Sequence, residues 1–366
     1  MFGVHLQRPH LFLSPWIATL IPTMSLSQSL FKACNRKTSS TSNIPRKHTK
    51  KKTQSHCAMG KTLGHVVPGI FVIISGLGLW QLFNHMSLFA LRPDTYVAPA
   101  WFPAPPVRHL ELLVMLAGGA YGFFSQMFGY SLPFHADGSI PEPRLPNHEH
   151  AVIYAALVLH AGAAAYLDGA PRRGRRALST LLLALVYAQE LFMFHVHSAD
   201  HAGVEGQFHG FLQATVAACL ATALLGVGFP RSFAVSLVRS AALALQGVWF
   251  VVIGVMWLPG MVANGCSLED GGLAIRCHGG GGDSERHAKA VINLLFGWCM
   301  TLMALFVVVL YVYVCRKYPP PETEAALYGR LPEDGDQEVD RKDDVVKAHR
   351  HCGEDVHEFV SLEIEV

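Results

Sequence analysis

The chain has 366 residues, of which 51% are hydrophobic and 15% are charged. Soluble domains carry about 25% charged residues, so this composition excludes an ordinary soluble protein and predicts an integral membrane protein. The formal net charge of +2 gives no reason to expect a nucleic-acid partner. The eight cysteines follow no CxxC or tetrad spacing, which argues against a zinc finger and a disulfide-rich scaffold.

The N-terminal segment 1–58 is basic, rich in Ser and Thr, and free of Asp and Glu. This composition is typical of an organelle transit peptide. A second interpretation is a gene model that begins too early, with Met59 as the true start. In both cases we expect this extension to lie outside the membrane domain, which we assign to residues 59–318.

Seven apolar segments follow, each near the length of about 17–25 residues that a helix needs to cross the hydrocarbon core of a bilayer. Because lipid does not hydrogen-bond exposed backbone groups, such segments must be helices. The sequence therefore predicts an all-α membrane protein, a seven-transmembrane-helix bundle with disordered termini. The predicted spans are 66–83, 110–130, 151–167, 177–194, 211–229, 237–258 and 291–314.

Lys and Arg are more numerous in the connections on one side of these spans, and the densest cluster lies at 172–176. By the positive-inside rule this side faces the cytosol. The C-terminus is then cytosolic. Residues 319–366 are predominantly acidic and lack apolar periodicity, so we expect a disordered cytosolic tail.

The densest group of chemically active side chains lies at 190–209, around the end of the fourth predicted span. Imidazoles and carboxylates are the usual ligands of zinc, copper and non-haem iron. If Asp200 caps the fifth helix, then His201, Glu205 and His209 share one of its faces. We expect a site for zinc or another transition metal, with Glu205 as a ligand or as the catalytic general base. The candidate metal ligands are His65, His150, Glu190, His195, His197, His201 and His209.

Two other interpretations of these histidines stay open. One is an interfacial layer that hydrogen-bonds to water and loop carbonyls, and the other is a proton or pH sensor. His160, inside the third predicted span, is a secondary candidate or an interhelical hydrogen-bond partner. We interpret Gln81, Asn84 and His85 as the end of the first helix and not as a second site.

Cys266 and Cys277 flank a Gly-rich loop between the sixth and seventh predicted spans. The short segment between them can close a disulfide if that side of the membrane is oxidising. If it is not, both remain free thiols, and the sequence leaves the two states open.

Several motifs together resemble one family, the plant branch of the transmembrane protein 45 family, also called domain of unknown function 716. The resemblance covers about residues 59–316 and implies a polytopic membrane protein that starts at Met59. Because the family has no established activity, the resemblance implies no reaction. The motifs are Met59-Gly-Lys-Thr-Leu-Gly-His65, Leu79-Trp-Gln-Leu-Phe-Asn-His85, Trp101-Phe-Pro, Asn147-His-Glu-His150 and His195-x-His-Ser-x-Asp-His201-x-Gly-x-Glu205-Gly-x-x-His209.

Two hypotheses on function follow. The first is a metal-binding membrane protein, active as a hydrolase or redox enzyme on a lipid or amphiphile. The second is a non-enzymatic trafficking, scaffold or stress-response protein whose tail binds cytosolic partners. Membrane lipids are partners in both, while enzymatic activity and homo-oligomerisation stay undecided. We expect an endomembrane or plasma-membrane location if Met59 is the start, and a plastid location if 1–58 is a working transit peptide.

We predict that the loop around Arg173 faces the cytosol and that the segment 195–207 faces away from it. If the protein lies in the plasma membrane, an Arg173→Cys variant should react with a membrane-impermeant maleimide only after permeabilisation, whereas Ser198→Cys should react on intact cells. Mass shifts after labelling measure both. Labelling of Arg173→Cys from outside intact cells would reverse the predicted orientation.

Overall fold

The computed structural model describes residues 61–73, 78–129, 132–170, 174–199, 203–258, 260–269, 274–278 and 282–318, without the side chains of 197–199. The predicted extension 1–58 and the predicted tail 319–366 lie outside these ranges. His201 and Asp200 lie outside them as well. Of His197, only the backbone position in a helix is described.

Helices form most of the described chain, which confirms an all-α membrane protein. In chain order they are α1 (Lys61–Ile73), α2 (Leu79–Leu91), α3 (Leu110–Phe128), α4 (Leu145–Asp168), α5 (Arg175–Ala199), α6 (Val204–Gly228), α7 (Phe233–Val255) and α8 (Asp283–Lys317). A 3-10 turn, Glu142–Arg144, leads into α4. Between α7 and α8 the strands β1 (Cys266–Glu269) and β2 (Ala274–Cys277) form an antiparallel hairpin.

Six of these helices, α3 to α8, are long and apolar enough to cross a membrane, so the chain is a multi-pass integral membrane protein. The first predicted span, 66–83, instead falls on α1 and α2, and residues 74–77 between them lie outside the described ranges. Helix α2 has 13 residues. At 1.5 Å per residue such a helix rises about 20 Å, less than the roughly 30 Å of a hydrocarbon core. The predicted count of seven is therefore not confirmed.

Successive helices from α3 to α7 pack as neighbours, and α7 also packs against α2 and α8. This up-and-down order gives the bundle two ends. We call the end that holds the starts of α1, α4, α6 and α8 and the hairpin the histidine end. The opposite end, where Arg108 and Arg175 bond to Asp168 at 2.9 Å, is the arginine end.

Small residues on α7 bring two other helices into backbone contact with it. Helix α7 is the most buried span, at 56% of its apolar stretch, against 6% for α8. A Cβ added to Gly247 would lie 2.7 Å from Ile73 and 2.9 Å from the carbonyl oxygen of Gly69, and one added to Gly254 would lie 2.6 Å from Val66. Glycines at such crossings allow the close approach by which membrane helices associate.

An aromatic cluster joins α6, α7 and α8 in the middle of the bundle. Trp249 is fully buried and donates its indole N–H to the carbonyl oxygen of Phe208 at 2.9 Å. Phe211 stacks on Phe296 with ring centroids 4.4 Å apart, and Trp249 meets the edge of Phe296 at 4.9 Å. Because the indole N–H is satisfied internally, this large side chain is buried without an unpaired donor.

The hairpin after α7 confirms one of the two predicted cysteine states. Cys266 and Cys277 face each other in the ladder and form a disulfide. The bond closes the base of the hairpin, and the hairpin lies over the start of α6 at the histidine end. The two cysteines are 11 residues apart in the sequence, so the crosslink closes a short loop.

We predict that Gly247→Ala destabilises the bundle by about 1–3 kcal/mol, because the added methyl group overlaps Ile73 and the backbone of Gly69. Gly210 is also helical but would place a Cβ in open space. Gly210→Ala should therefore be neutral or stabilising by up to about 1 kcal/mol. Thermal unfolding of both variants in one detergent tests this contrast, and equal stability of the two would contradict the close α1–α7 contact.

Candidate functional site

Three of the predicted ligands lie at the histidine end on three different helices, and each has the same local geometry. His65 is on α1, His150 on α4 and His209 on α6. The ring Nδ1 of each lies near the carbonyl oxygen four residues earlier in its own helix: His65 to Lys61 at 2.9 Å, His150 to Pro146 at 2.5 Å, and His209 to Glu205 at 2.8 Å. A carbonyl oxygen accepts hydrogen bonds and does not donate them, so Nδ1 carries the proton in each ring. The lone pair of each neutral imidazole is then on Nε2, which is the tautomer that binds a metal through Nε2.

These three histidines lie within electrostatic range of one another. The rings of His65 and His209 meet edge to face, with centroids 6.2 Å apart. His65 also feels the charge of His150 when that ring is protonated. The contact between α1 and α6 therefore places two of the candidate ligands, His65 and His209, side by side.

Glu205, the predicted ligand or general base, is buried at the first turn of α6 and makes bonds that hold the structure together. Its Oε1 accepts the backbone N–H of Ile275 in β2 at 2.8 Å. Its Oε2 lies 3.8 Å from the ammonium group of Lys61, which also sits 4.0 Å above the ring of Trp257. The carboxylate thus ties α1, α6 and the hairpin together.

The other described candidates do not join this group in the same way. His195 is exposed, and its Nδ1 lies 3.3 Å from Oε1 of Gln213. Glu190 is buried deeper in the bundle, where its Oε1 accepts from the side-chain amide of Gln246 at 2.7 Å.

The structure corrects the predicted start of the fifth helix. Helix α6 begins at Val204, and Gly203, with a positive φ of 75°, is its N-cap. Gly203 and not Asp200 is therefore the N-cap, while Asp200 and His201 lie outside the described residues. The left-handed backbone that Gly203 supplies separates the two parts of the motif.

Among the residues that the structure describes, no group of three or more His, Cys, Asp or Glu side chains is placed to hold a metal ion. The side chain of His197 and the whole of His201 lie outside the described residues. The metal site therefore stays a prediction, with His65, His150 and His209 as its described members.

A second polar cluster lies inside the bundle toward the arginine end, where the sequence analysis expected none. Glu111 on α3 is buried, and its carboxylate accepts three N–H groups: from Trp80 at 3.2 Å, Gln81 at 2.8 Å and the backbone of Phe102 at 2.7 Å. Gln81 and His85 are buried within α2, which continues to Leu91, so they do not form the end of a helix as interpreted from the sequence. Asn84 bonds within its own helix, to the carbonyl oxygen of Trp80 at 2.7 Å.

Arg239 anchors the other half of this interior cluster. It lies within α7 and is 3% exposed. Its Nη2 lies 3.4 Å from Nε2 of His85, and Nδ1 of His85 lies 2.9 Å from the Tyr96 hydroxyl. Burial raises the pKa of Tyr96 to about 12, so this hydroxyl keeps its proton at neutral pH.

The signal that would have located this cluster is the presence of charged residues inside predicted spans. Glu111 falls in span 110–130 and Arg239 in span 237–258, and ionisable residues inside membrane helices mark functional sites by default. His160, named as a secondary candidate, is also inside: it is 1% exposed and lies where the charge of Arg239 acts on it.

A comparison with protein-family models agrees with the resemblance seen in the motifs. The model described as "Family of unknown function (DUF716)" matches residues 176–312, from the start of α5 to near the end of α8. This match supports the membership of the chain in that family. The plant-type assignment stays a prediction.

We predict that Glu205→Gln lowers the free energy of unfolding by about 1–3 kcal/mol, because it removes the charge that pairs with Lys61 and weakens the bond to Ile275. Unfolding of the purified protein in detergent measures this. Glu285→Gln is the control, since Glu285 pairs with Lys289 on the exposed surface of the same end and should change stability by less than about 1 kcal/mol. Wild-type stability of Glu205→Gln would contradict the structural role given to Glu205.

Proposed function

We propose that this member of the DUF716 family is a seven-crossing membrane protein that binds a transition metal at its histidine end. The observation that carries the metal assignment is the shared tautomer of His65, His150 and His209, each of which keeps its proton on Nδ1. The crossing count and the metal are separate proposals, and each has its own support.

The support for a seventh crossing is that both α1 and α2 pack along α7. Gly69 on α1 packs on Gly247, and Gly78, just before α2, packs on Ala244. The two short helices thus lie one after the other along the same partner. From Lys61 to Leu91 they have enough residues to span a roughly 30 Å core together, although neither does so alone.

The support for a metal is chemical. Metal-bound imidazoles donate their second ring N–H to a carbonyl or carboxylate, which fixes the ring and its tautomer. Nitrogen ligands without thiolate suit zinc, and copper and iron are the alternatives. The three carbonyl bonds at the histidine end provide this outer support for Nε2 ligation. In this proposal Glu205 positions α1, α6 and the hairpin around the site.

The described histidines do not complete a metal site by themselves. We assign the remaining ligands to His197, in the last turn of α5, and to His201, which precedes α6 in the sequence. His195 and Glu190 are left out of this set, because His195 is exposed beside Gln213 and Glu190 bonds to Gln246. A hydrolytic or redox activity on a lipid would be a further step and stays a prediction.

The competing explanation of these histidines is a structural layer that binds no metal. The same carbonyl bonds are also expected for such a layer. Under that explanation the histidines only close the bundle, and the work of the protein is done as a non-enzymatic trafficking, scaffold or stress-response component. The two explanations differ in one measurable property, the metal content of the purified protein.

We predict about one zinc ion per chain in protein purified without a chelator or an added histidine tag, measured by elemental mass spectrometry. His65→Ala and His209→Ala should each weaken zinc binding by at least about 10-fold, because each removes a metal ligand that the remaining histidines do not replace. His148→Ala is the matched control. It lies on the same turn of α4 as His150, but its Nε2 faces the carbonyl oxygen of Pro133 at 3.0 Å.

Two outcomes would end the metal proposal. The first is unmodified protein that carries no metal and gains no thermal stability from added zinc, copper or iron. The second is an equal loss of metal in His148→Ala and His209→Ala, which would indicate nonspecific surface binding. Either result would favour the structural layer.

A further inference from the structure

Arg239 is a permanent positive charge in the interior of the bundle. A guanidinium group keeps its proton at all relevant pH values, so it is neutralised by a partner and not by titration. Among the described residues no carboxylate lies within ion-pair distance of Arg239. An unpaired charge inside membrane helices is costly, which makes its retention a reason to look for a ligand.

A chain of hydrogen bonds holds Arg239 in one orientation. Because Arg239 only donates, His85 accepts through Nε2 and must donate through Nδ1 to the Tyr96 oxygen. The Tyr96 hydroxyl bonds in turn to Ser236, and the Ser236 hydroxyl donates to the carbonyl oxygen of Ser232 at 3.3 Å. Ser232 caps the start of α7. The direction of every bond is fixed by the arginine, so the guanidinium is preorganised.

Part of this oriented guanidinium has no protein partner. The Nε of Arg239 is buried and makes no hydrogen bond. Beside Nη1, α6 contributes Gly226, where a Cβ would lie 3.4 Å from the nitrogen, so no side chain projects there from that position. The buried Nε–H of the guanidinium therefore lacks an acceptor among the described residues.

His160 on α4 faces the same charge and also lacks partners. It is 1% exposed, and neither of its ring nitrogens makes a hydrogen bond. A buried imidazole with both nitrogens unsatisfied is rare, because each such group costs about 1–3 kcal/mol. The charge of Arg239 acts on His160, so the two unsatisfied groups belong to one region.

Two buried carboxylates of the described interior, Glu111 and Glu190, are engaged by other groups. Glu111, on which the charge of Arg239 also acts, accepts from Trp80, Gln81 and Phe102. Glu190 accepts from Gln246. Neither is paired directly with Arg239, and the donors of Arg239 and His160 need an acceptor from outside the described chain.

We propose that Arg239 and His160 bind a small oxyanion, a carboxylate or phosphate group, inside the bundle toward the arginine end. A guanidinium presents parallel N–H groups that match the two oxygens of either anion. The imidazole of His160 adds one donor. This site is distinct from the histidine end and does not depend on a metal there. The same chemistry has two sources, a free anion or the phosphate of a phospholipid headgroup.

The test is thermal unfolding of the delipidated full-length protein in detergent, titrated with inorganic phosphate, with acetate, or with phosphatidic acid in mixed micelles. Chloride keeps the ionic strength constant. Binding to the folded state raises Tm, and we expect a rise of at least about 3 °C at saturation. A response to inorganic phosphate or acetate identifies a free anion. A response to phosphatidic acid alone identifies a lipid headgroup, and both responses support the site.

Variants decide whether the response belongs to this site. Arg239→Gln and His160→Asn should each lose most of the anion-dependent rise. His160→Asn removes no hydrogen bond of the folded protein, so it keeps the test valid if Arg239→Gln does not fold. Arg108→Gln is the matched control, because Arg108 is an exposed arginine of the same end paired with Asp168.

The proposal is overturned if none of the three anions raises Tm, or if His160→Asn responds as the unmodified protein does. Loss of the response in Arg108→Gln would also overturn it, because the anion would then bind the surface of the arginine end. Arg239→Lys gives a further check, since it keeps the charge and loses the paired donors. It should retain a weaker response than the unmodified protein.

Discussion

The close contact of α1 and α2 with α7 is the constraint on which both polar clusters depend. Gly69, Gly247 and Gly254 leave no room for side chains between α1 and α7, so van der Waals packing of backbones holds these helices together. This contact brings His65 of α1 beside His209 at one end. The neighbouring α2 contact brings His85 to Arg239 at the other. A larger residue at either crossing would separate the groups of both clusters.

Polar side chains inside a bilayer must find partners within the protein, and the two clusters do so differently. At the histidine end the ring protons go to carbonyl oxygens one turn earlier, and Glu205 joins a lysine to a backbone N–H of the hairpin. In the interior, Glu111 is saturated with donors, whereas Arg239 and His160 retain unsatisfied nitrogens. The first arrangement is self-contained among its neighbours, and the second is incomplete without an acceptor.

Six spans could be located from the sequence, because the hydropathy that identifies a span depends only on the residues of that segment. It did not show that the first predicted span, 66–83, falls on both α1 and α2, since the composition of this span is apolar throughout. Averaging over a window also concealed Glu111 and Arg239. The partner of Glu205 is Ile275, 70 residues away, and no local pattern indicates such a pairing. Asp200 looked like a cap by residue type, but the backbone of Gly203 sets the start of α6.

The length of α8 has a consequence for the membrane in which this protein is most stable. Charged residues end at Lys289 and resume at Arg316, and the uncharged stretch 290–315 between them is about 39 Å long at 1.5 Å per residue. An average hydrocarbon core is about 30 Å thick, so this helix must tilt or thicken the surrounding lipid. A thick, sterol-rich bilayer reduces that hydrophobic mismatch, while a thin one increases it. Since α8 is hardly buried by the other helices, most of its apolar stretch is available for contact with lipid.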